Sequence, residues 1–68
     1  MNNIDSILTY AQHAKSFAEK KDESGLLECY ATMLLHLSSE LRNLGLDGTQ
    51  AEHLSFNLSF ASVKKRNG

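Results

Sequence analysis

Apolar residues recur along this chain at alternating steps of three and four positions. Three stripes follow this spacing: Ile4, Ile7, Ala11, Ala14 and Ala18; then Leu26, Tyr30, Met33, Leu37, Leu41 and Leu44; and finally Ala51, Leu54, Leu58 and Ala61. Such spacing places side chains on one face of an α-helix. The pattern therefore predicts an all-α fold, with helices over about 3–21, 23–44 and 49–65.

The connections between the stripes are short. Residues 20–25 link the first two helices, and so short a polar link makes those helices antiparallel neighbours. Gly45 is placed to end the second helix, with Leu46 positioned to pack back onto Leu41. We therefore expect a small three-helix bundle built on an antiparallel helical hairpin.

Polar residues ahead of each stripe predict where the helices begin. Asn3 is the expected N-cap of the first helix, and Asp22 or Ser24 is the expected N-cap of the second. Thr49 and Glu52 have the spacing of a capping box, in which the hydroxyl and the carboxylate each accept a backbone N–H. This motif predicts the start of the third helix.

The third helix carries a second apolar group, Phe56, Phe60 and Val63, on nearly the opposite side from its stripe. A single hairpin cannot bury both sides, and an exposed apolar group marks an interaction surface. We predict that these three residues form a protein interface. In one alternative, the helix tilts so that both groups share one wide core. In another, the alternating segment 54–60 is a strand paired with another chain, although we favour the helix.

Tyr10 and Phe17 widen the apolar arc of the first helix, so that it could meet two neighbours. We include both residues in the predicted interface, with ordinary core packing as the alternative. Together with Ala14 and Tyr30, they fall where a tetratricopeptide-type hairpin places its aromatic and small residues. The segment Tyr10–Ser38 resembles one such unit, with departures at several of the family's positions. The resemblance implies a helical hairpin of the protein-binding kind.

Length and composition restrict the functions that fit. With 68 residues, the chain is expected to form one domain spanning 1–68. Its single cysteine suits a reducing compartment, and we see neither a signal-peptide pattern nor an apolar run long enough to cross a bilayer. We therefore expect a cytoplasmic protein without membrane association. The formal net charge of −1 argues against a general attraction to nucleic acid.

Three consecutive cations, Lys64, Lys65 and Arg66, follow the last stripe. Our first interpretation is a helix C-terminus, where cations complement the helix dipole, with residues 64–68 as a frayed basic tail. The alternative function is a DNA-binding regulator. Residues 51–54, followed by 59–65, resemble a helix-turn-helix within 49–66, and this resemblance implies that the three cations contact phosphates.

Reactive side chains are few and scattered. His13, His36, His53 and Cys29 lack the close spacings that are typical of zinc sites. Cys29 follows Glu28 and has no cationic neighbour in the sequence to activate its thiol, so we expect a small packing residue. We expect no enzyme activity, no cofactor, no metal and no small-molecule substrate.

These features favour binding to other proteins. We expect a small non-catalytic interaction module, such as a regulator, an adaptor or a chaperone-like modulator, that docks through an apolar helical face. The expected partner is another protein, a second copy of this chain, or both. A homodimer is the simplest such assembly.

Overall fold

Three helices make up the computed structural model, which describes residues 2–68. They are α1 (Asn3–Glu19), α2 (Glu23–Asn43) and α3 (Thr49–Asn67). The all-α prediction is confirmed, and residues 54–60 are helical rather than a strand. Helix α1 ends one or two residues before the predicted limit, whereas α3 continues two residues beyond its own.

Side-chain oxygens of residues outside the helices cap α1 and α2. Asn2 Oδ1 accepts the Asp5 N–H at 2.8 Å, so the N-cap is Asn2 and the prediction of Asn3 was wrong by one residue. The Asn3 side chain is instead engaged by α2, where its amide donates to Ser39 Oγ at 3.2 Å. The prediction for α2 is confirmed, because Asp22 Oδ1 accepts the Gly25 N–H at 3.0 Å.

Both α1 and α2 end in a residue with left-handed backbone conformation. Gly45 has φ of 80°, and the next N–H, that of Leu46, donates to the Leu41 carbonyl at 2.9 Å. This bond closes a Schellman motif and confirms Gly45 as the stop signal of α2. Lys21 takes the same position after α1 with φ of 58°, although a lysine there carries a steric cost that a glycine does not.

The capping box predicted for α3 is wrong. Gly48 is the N-cap, and no side-chain hydrogen bond caps the helix there. Asp47 Oδ1 instead accepts from both the backbone N–H and the hydroxyl of Thr49, at 2.9 and 2.6 Å. Glu52 does not reach back to Thr49, because its carboxylate pairs with Arg42 on α2. A tertiary ion pair therefore replaces the local motif.

The helices form an open layer with α2 in the middle. Within residues 2–68, α1 and α3 each pack against α2 and do not pack against each other. Hydrogen bonds join Asn3 to Ser39 and Ser62 to Ser24, so each outer helix runs antiparallel to α2. The Cα atoms extend over 39 × 21 × 13 Å, so the molecule is a flattened slab. Both broad faces of α2 therefore lie outside the α1 and α3 contacts.

Residues 64–67 belong to α3 rather than to the frayed tail that we predicted. Two of its cations are held by α2, since Lys65 pairs with Glu23 and Arg66 pairs with Glu28. These pairs give the last turn of α3 contacts that a free tail lacks. No helix in the described part of the chain is long and apolar enough to span a bilayer.

Candidate functional site

Small residues line the contact between α2 and α3. Ser24, Ala31 and Ser38 recur every seventh position on α2, and Gly48, Ser55 and Ser62 do the same in α3 and its N-cap. We call these six residues the small-residue seam; all of them are buried except Ser24, which is half-buried. Because the helices are antiparallel, moving seven residues forward on α2 corresponds to moving seven residues back on α3. Ser24 therefore lies opposite Ser62, Ala31 opposite Ser55, and Ser38 opposite Gly48.

The serine hydroxyls of this seam donate to backbone carbonyls of the opposite segment. Ser55 Oγ donates to the Ala31 carbonyl at 2.6 Å, and Ser38 Oγ donates to the Gly48 carbonyl at 3.0 Å. No buried side-chain N or O atom in residues 2–68 lacks a hydrogen-bond partner. Side chains this small let the two backbones approach closely, so the seam leaves no room for a leucine or a phenylalanine.

The seam pushes the large apolar residues of α3 to the surface. We predicted that Ala51, Leu54, Leu58 and Ala61 would close the core, yet Leu54 is 49% exposed while the polar Ser55 beside it is fully buried. Among the described residues, the buried apolar side chains are all small: Ala14, Cys29 and Ala31. Apolar surface is therefore distributed over both broad faces of the slab.

The first exposed apolar site is the Phe patch, which consists of Phe56, Ser59, Phe60 and Val63 around a shallow cleft of about 230 Å³. Phe60 is 71% exposed, and Phe56 and Val63 are each 46% exposed. The structure therefore places the three predicted interface residues together on the solvent side of α3. It does not form the alternative in which both apolar groups of α3 share one core.

One residue of this site was missed by sequence reasoning. Ion pairs join Arg42 to Glu52 and Arg66 to Glu28. On α2, position 35 is seven residues from both Glu28 and Arg42; on α3, position 59 is seven residues from both Glu52 and Arg66. The same register places Leu35 across from Ser59, between the two pairs. Leu35 is 44% exposed, so its side chain offers apolar surface on α2 near the Phe patch. The spacing of Leu35 relative to Glu28 and Arg42 was the available signal.

A second exposed apolar site lies between α1 and α3, over the middle of α2. We call it the α2 groove; its volume is about 360 Å³ and it is lined by Ile7, Tyr30, Met33, Leu34, Leu37 and Leu58. Tyr30 and Leu37 are each 44% exposed, and the others are half-buried. Their spacing led us to assign most of these residues to core stripes. The small residues that recur at every seventh position were the signal that small side chains, and not these larger ones, occupy the α2–α3 contact.

Tyr10 and Phe17 lie in the α1–α2 contact and not in the Phe patch. The Tyr10 ring stacks on His36 with centroids 6.2 Å apart, and Phe17 packs against the backbone of Gly25. His36 Nδ1 in turn donates to Asn3 Oδ1 at 2.9 Å. Since α1 and α3 lie on opposite sides of α2, the structure separates the two predicted parts of the interface.

The cations of the alternative DNA-binding site surround a wide, open cleft. Lys64, Lys65 and Arg66 line it together with the first turn of α2 and the end of α1, over about 800 Å³. Glu23 and Glu28 pair with two of the three cations, so the cleft has mixed charge. The helix-turn-helix prediction is wrong in one respect, because α3 runs without a turn through residues 55–58.

The groups with chemical reactivity are not gathered into a site. Burial raises the pKa of the Cys29 thiol above its ordinary value, and the neighbouring Glu28 carboxylate adds to the effect. The thiol is therefore held in its protonated, weakly nucleophilic form. In the part of the chain that the structure describes, no three His, Cys, Asp or Glu side chains are grouped to hold a metal ion.

Comparisons with known protein families, with curated proteins and with solved structures found no match.

Proposed function

We propose that this chain is a non-catalytic protein-binding module that self-associates and docks onto another protein through the Phe patch. One observation carries the proposal. Phe60 is 71% exposed on α3, with Phe56 and Val63 beside it around one shallow cleft. Aromatic side chains are enriched at the centres of protein interfaces, where they supply large contact areas.

The two phenylalanines would supply part of the binding free energy of a larger interface. Burying the exposed parts of Phe56 and Phe60 removes on the order of 200 Å² of apolar surface from water, which is worth roughly 5 kcal/mol before the cost of association. Leu35 adds to this area from the neighbouring helix. A partner that provides a matching apolar surface therefore finds two aromatic anchors on a rigid helix.

The rim of the patch indicates the chemistry of the partner. Two ion pairs flank the patch, Arg42–Glu52 and Arg66–Glu28, and both remain partly exposed. The exposed Lys64 lies one helical turn after Phe60 and belongs to none of the ion pairs within residues 2–68, so the rim carries paired charges and one further cation. We expect an amphipathic helix of another protein, with an apolar face toward Phe60 and a polar rim of mixed charge.

A comparison of charge substitutions on α3 tests the proposal. In Phe60→Glu, a carboxylate replaces the centre of the patch, while Asn57→Glu adds the same charge at an exposed position of the same helix. Each full-length variant is immobilised and exposed to lysate from its native source, and the captured proteins are quantified against the wild type. We expect a protein that the wild type and Asn57→Glu retain, and that Phe60→Glu loses at least tenfold.

Circular dichroism of the same samples provides the folding control. The Phe60 side chain lies mostly in solvent, so Phe60→Glu should keep the helical content and the unfolding midpoint of the Asn57→Glu variant. Equal capture by both variants, with both folded, would show that the Phe patch is not the docking surface. Loss of helicity in Phe60→Glu alone would instead place Phe60 in the core.

A further inference from the structure

We infer that a second copy of this chain covers the α2 groove, and that the two α2 helices cross antiparallel about a two-fold axis between Met33 and Leu34. This inference rests on the self-association in the proposed function and assigns it to a surface distinct from the Phe patch. Domains bury their apolar faces between two packed layers. Within residues 2–68, α1 and α3 each pack against α2 and not against each other, and no helix of the chain covers the α2 groove.

The interior of a single chain is too small to hold the slab together. Its buried apolar side chains are Ala14, Cys29 and Ala31, and each of them buries little surface. Four larger apolar residues of α2 line the groove instead, and two of them, Tyr30 and Leu37, are still 44% exposed. A second layer on the groove would convert these residues into a core.

The α2 groove is complementary to itself. The four α2 residues that line it, at 30, 33, 34 and 37, form a palindrome about the middle of the helix. An antiparallel crossing at that point places Tyr30 against Leu37 of the partner subunit and Met33 against the partner's Leu34. Such isologous pairing is what a two-fold dimer requires.

Charge and area also fit a second copy. None of the six residues that line the groove is charged, so pairing two grooves brings no like charges together. Ile4 and Leu8 on α1 and Leu54 on α3 continue the apolar surface at helical spacing, and all three are about half exposed. The broad face extends over 39 × 21 Å between its outermost Cα atoms, which is large enough for the roughly 800 Å² that one partner contributes to an interface of standard size.

Solution mass measured over a range of protein concentrations tests the assembly. We expect a species of twice the 7.6 kDa chain mass. Leu37→Glu should weaken association about 100-fold or more, because the dimer would bury an unpaired carboxylate from each copy. Phe60→Glu should keep the dimer mass. A helical wild-type chain that stays a single copy at every concentration would overturn the inference, and capture through the Phe patch would remain a separate result.

Disulfide trapping tests the axis, including the case in which Leu37→Glu does not fold. In Met33→Cys, the new thiols of two copies meet beside the axis and should cross-link rapidly under mild oxidation. Leu44 lies on the same helix about 16 Å from the axis, so the thiols of Leu44→Cys would be about 30 Å apart and should not cross-link. Phe60→Cys should also stay uncross-linked. Trapping of Phe60→Cys but not of Met33→Cys would place the dimer on the Phe patch and overturn the inference.

Discussion

Ser24 on α2 and Ser62 on α3 exchange hydrogen bonds in both directions. Ser62 Oγ donates to the Ser24 carbonyl at 2.8 Å, and Ser24 Oγ donates to the Ser62 carbonyl at 3.1 Å. The two residues lie 38 positions apart in the sequence, and Ser62 is fully buried. This exchange ties the last turns of α3 to the first turn of α2. It also shows that this helix contact depends on small polar residues rather than on large apolar ones.

Substitutions at Ser62 should show how much the hydrogen bonds of the seam and the small size of its side chains each contribute to stability. Ser62→Ala removes one hydrogen bond and should lower the free energy of unfolding by about 1 kcal/mol. Ser62→Leu should cost about 3 kcal/mol or more, because its side chain must push the helices apart. Urea unfolding followed by circular dichroism at one fixed protein concentration measures both effects. Ser59→Ala, at an exposed site on the same helix, should change stability by less than about 0.5 kcal/mol.

Gly48 and Gly45 should respond to alanine for different reasons. A Cβ at Gly48 would lie 2.6 Å from the backbone carbonyl oxygen of Ser38, so Gly48→Ala must move one backbone and should cost about 2 kcal/mol. A Cβ at Gly45 meets nothing within 4 Å, and there the cost of about 1 kcal/mol comes from its φ of 80°. Gly45→Asn should recover part of that loss, whereas Gly48→Asn should be worse than Gly48→Ala. Thermal unfolding of the four variants checks this order.

Lys21 offers a site for stabilisation. Its φ of 58° is a left-handed conformation that costs a non-glycine residue about 1 kcal/mol. Lys21→Gly removes that cost and should raise the free energy of unfolding by roughly 0.5 kcal/mol after the greater freedom of the unfolded chain is counted. Lys20 has φ of −84°, so Lys20→Gly loses the same charge without the benefit and should destabilise. A wild-type midpoint above that of Lys21→Gly would contradict this explanation.

Acid should weaken the start of α3 through Asp47. Hydrogen bonds from the Thr49 hydroxyl and then from its backbone N–H lower the pKa of Asp47 below its ordinary value of 3.8. A lowered pKa means that the folded chain favours the carboxylate. The contribution of Asp47 is therefore complete above pH 3.8 and is lost as the pH falls below it through the folded-state pKa. In Asp47→Asn, unfolding midpoints measured from pH 6 to pH 2 should fall less steeply than in the wild type.

Local signals predicted the helices and several of their ends. The cap at Asp22 and the stop at Gly45 involve residues within one turn, so nearby sequence was sufficient to place them. The capping box at Thr49 failed because Glu52 had a competing partner, Arg42, on another helix. A cap depends on local sequence only when no tertiary contact claims its side chain.

Local sequence predicted one of the two candidate sites and not the other. The exposure of Phe56, Phe60 and Val63 was anticipated because they lie opposite an apolar stripe on one helix. The α2 groove was not anticipated, since its residues have the spacing of a core. The distance between two helices decides which of two apolar faces becomes the interior. The spacing of apolar residues within one helix gives no information about that distance.

By itself, the sequence determined the all-α class, the three helices and the antiparallel arrangement of the first two, because periodicity, short links and glycine stops act over a few residues. Only the tertiary structure decided that four serines, one alanine and one glycine occupy the α2–α3 contact and that several leucines and phenylalanines are exposed. The physical reason is that hydroxyl-to-carbonyl bonds between closely packed backbones need the small residues of both helices in register. That register is a property of the pair and not of either segment.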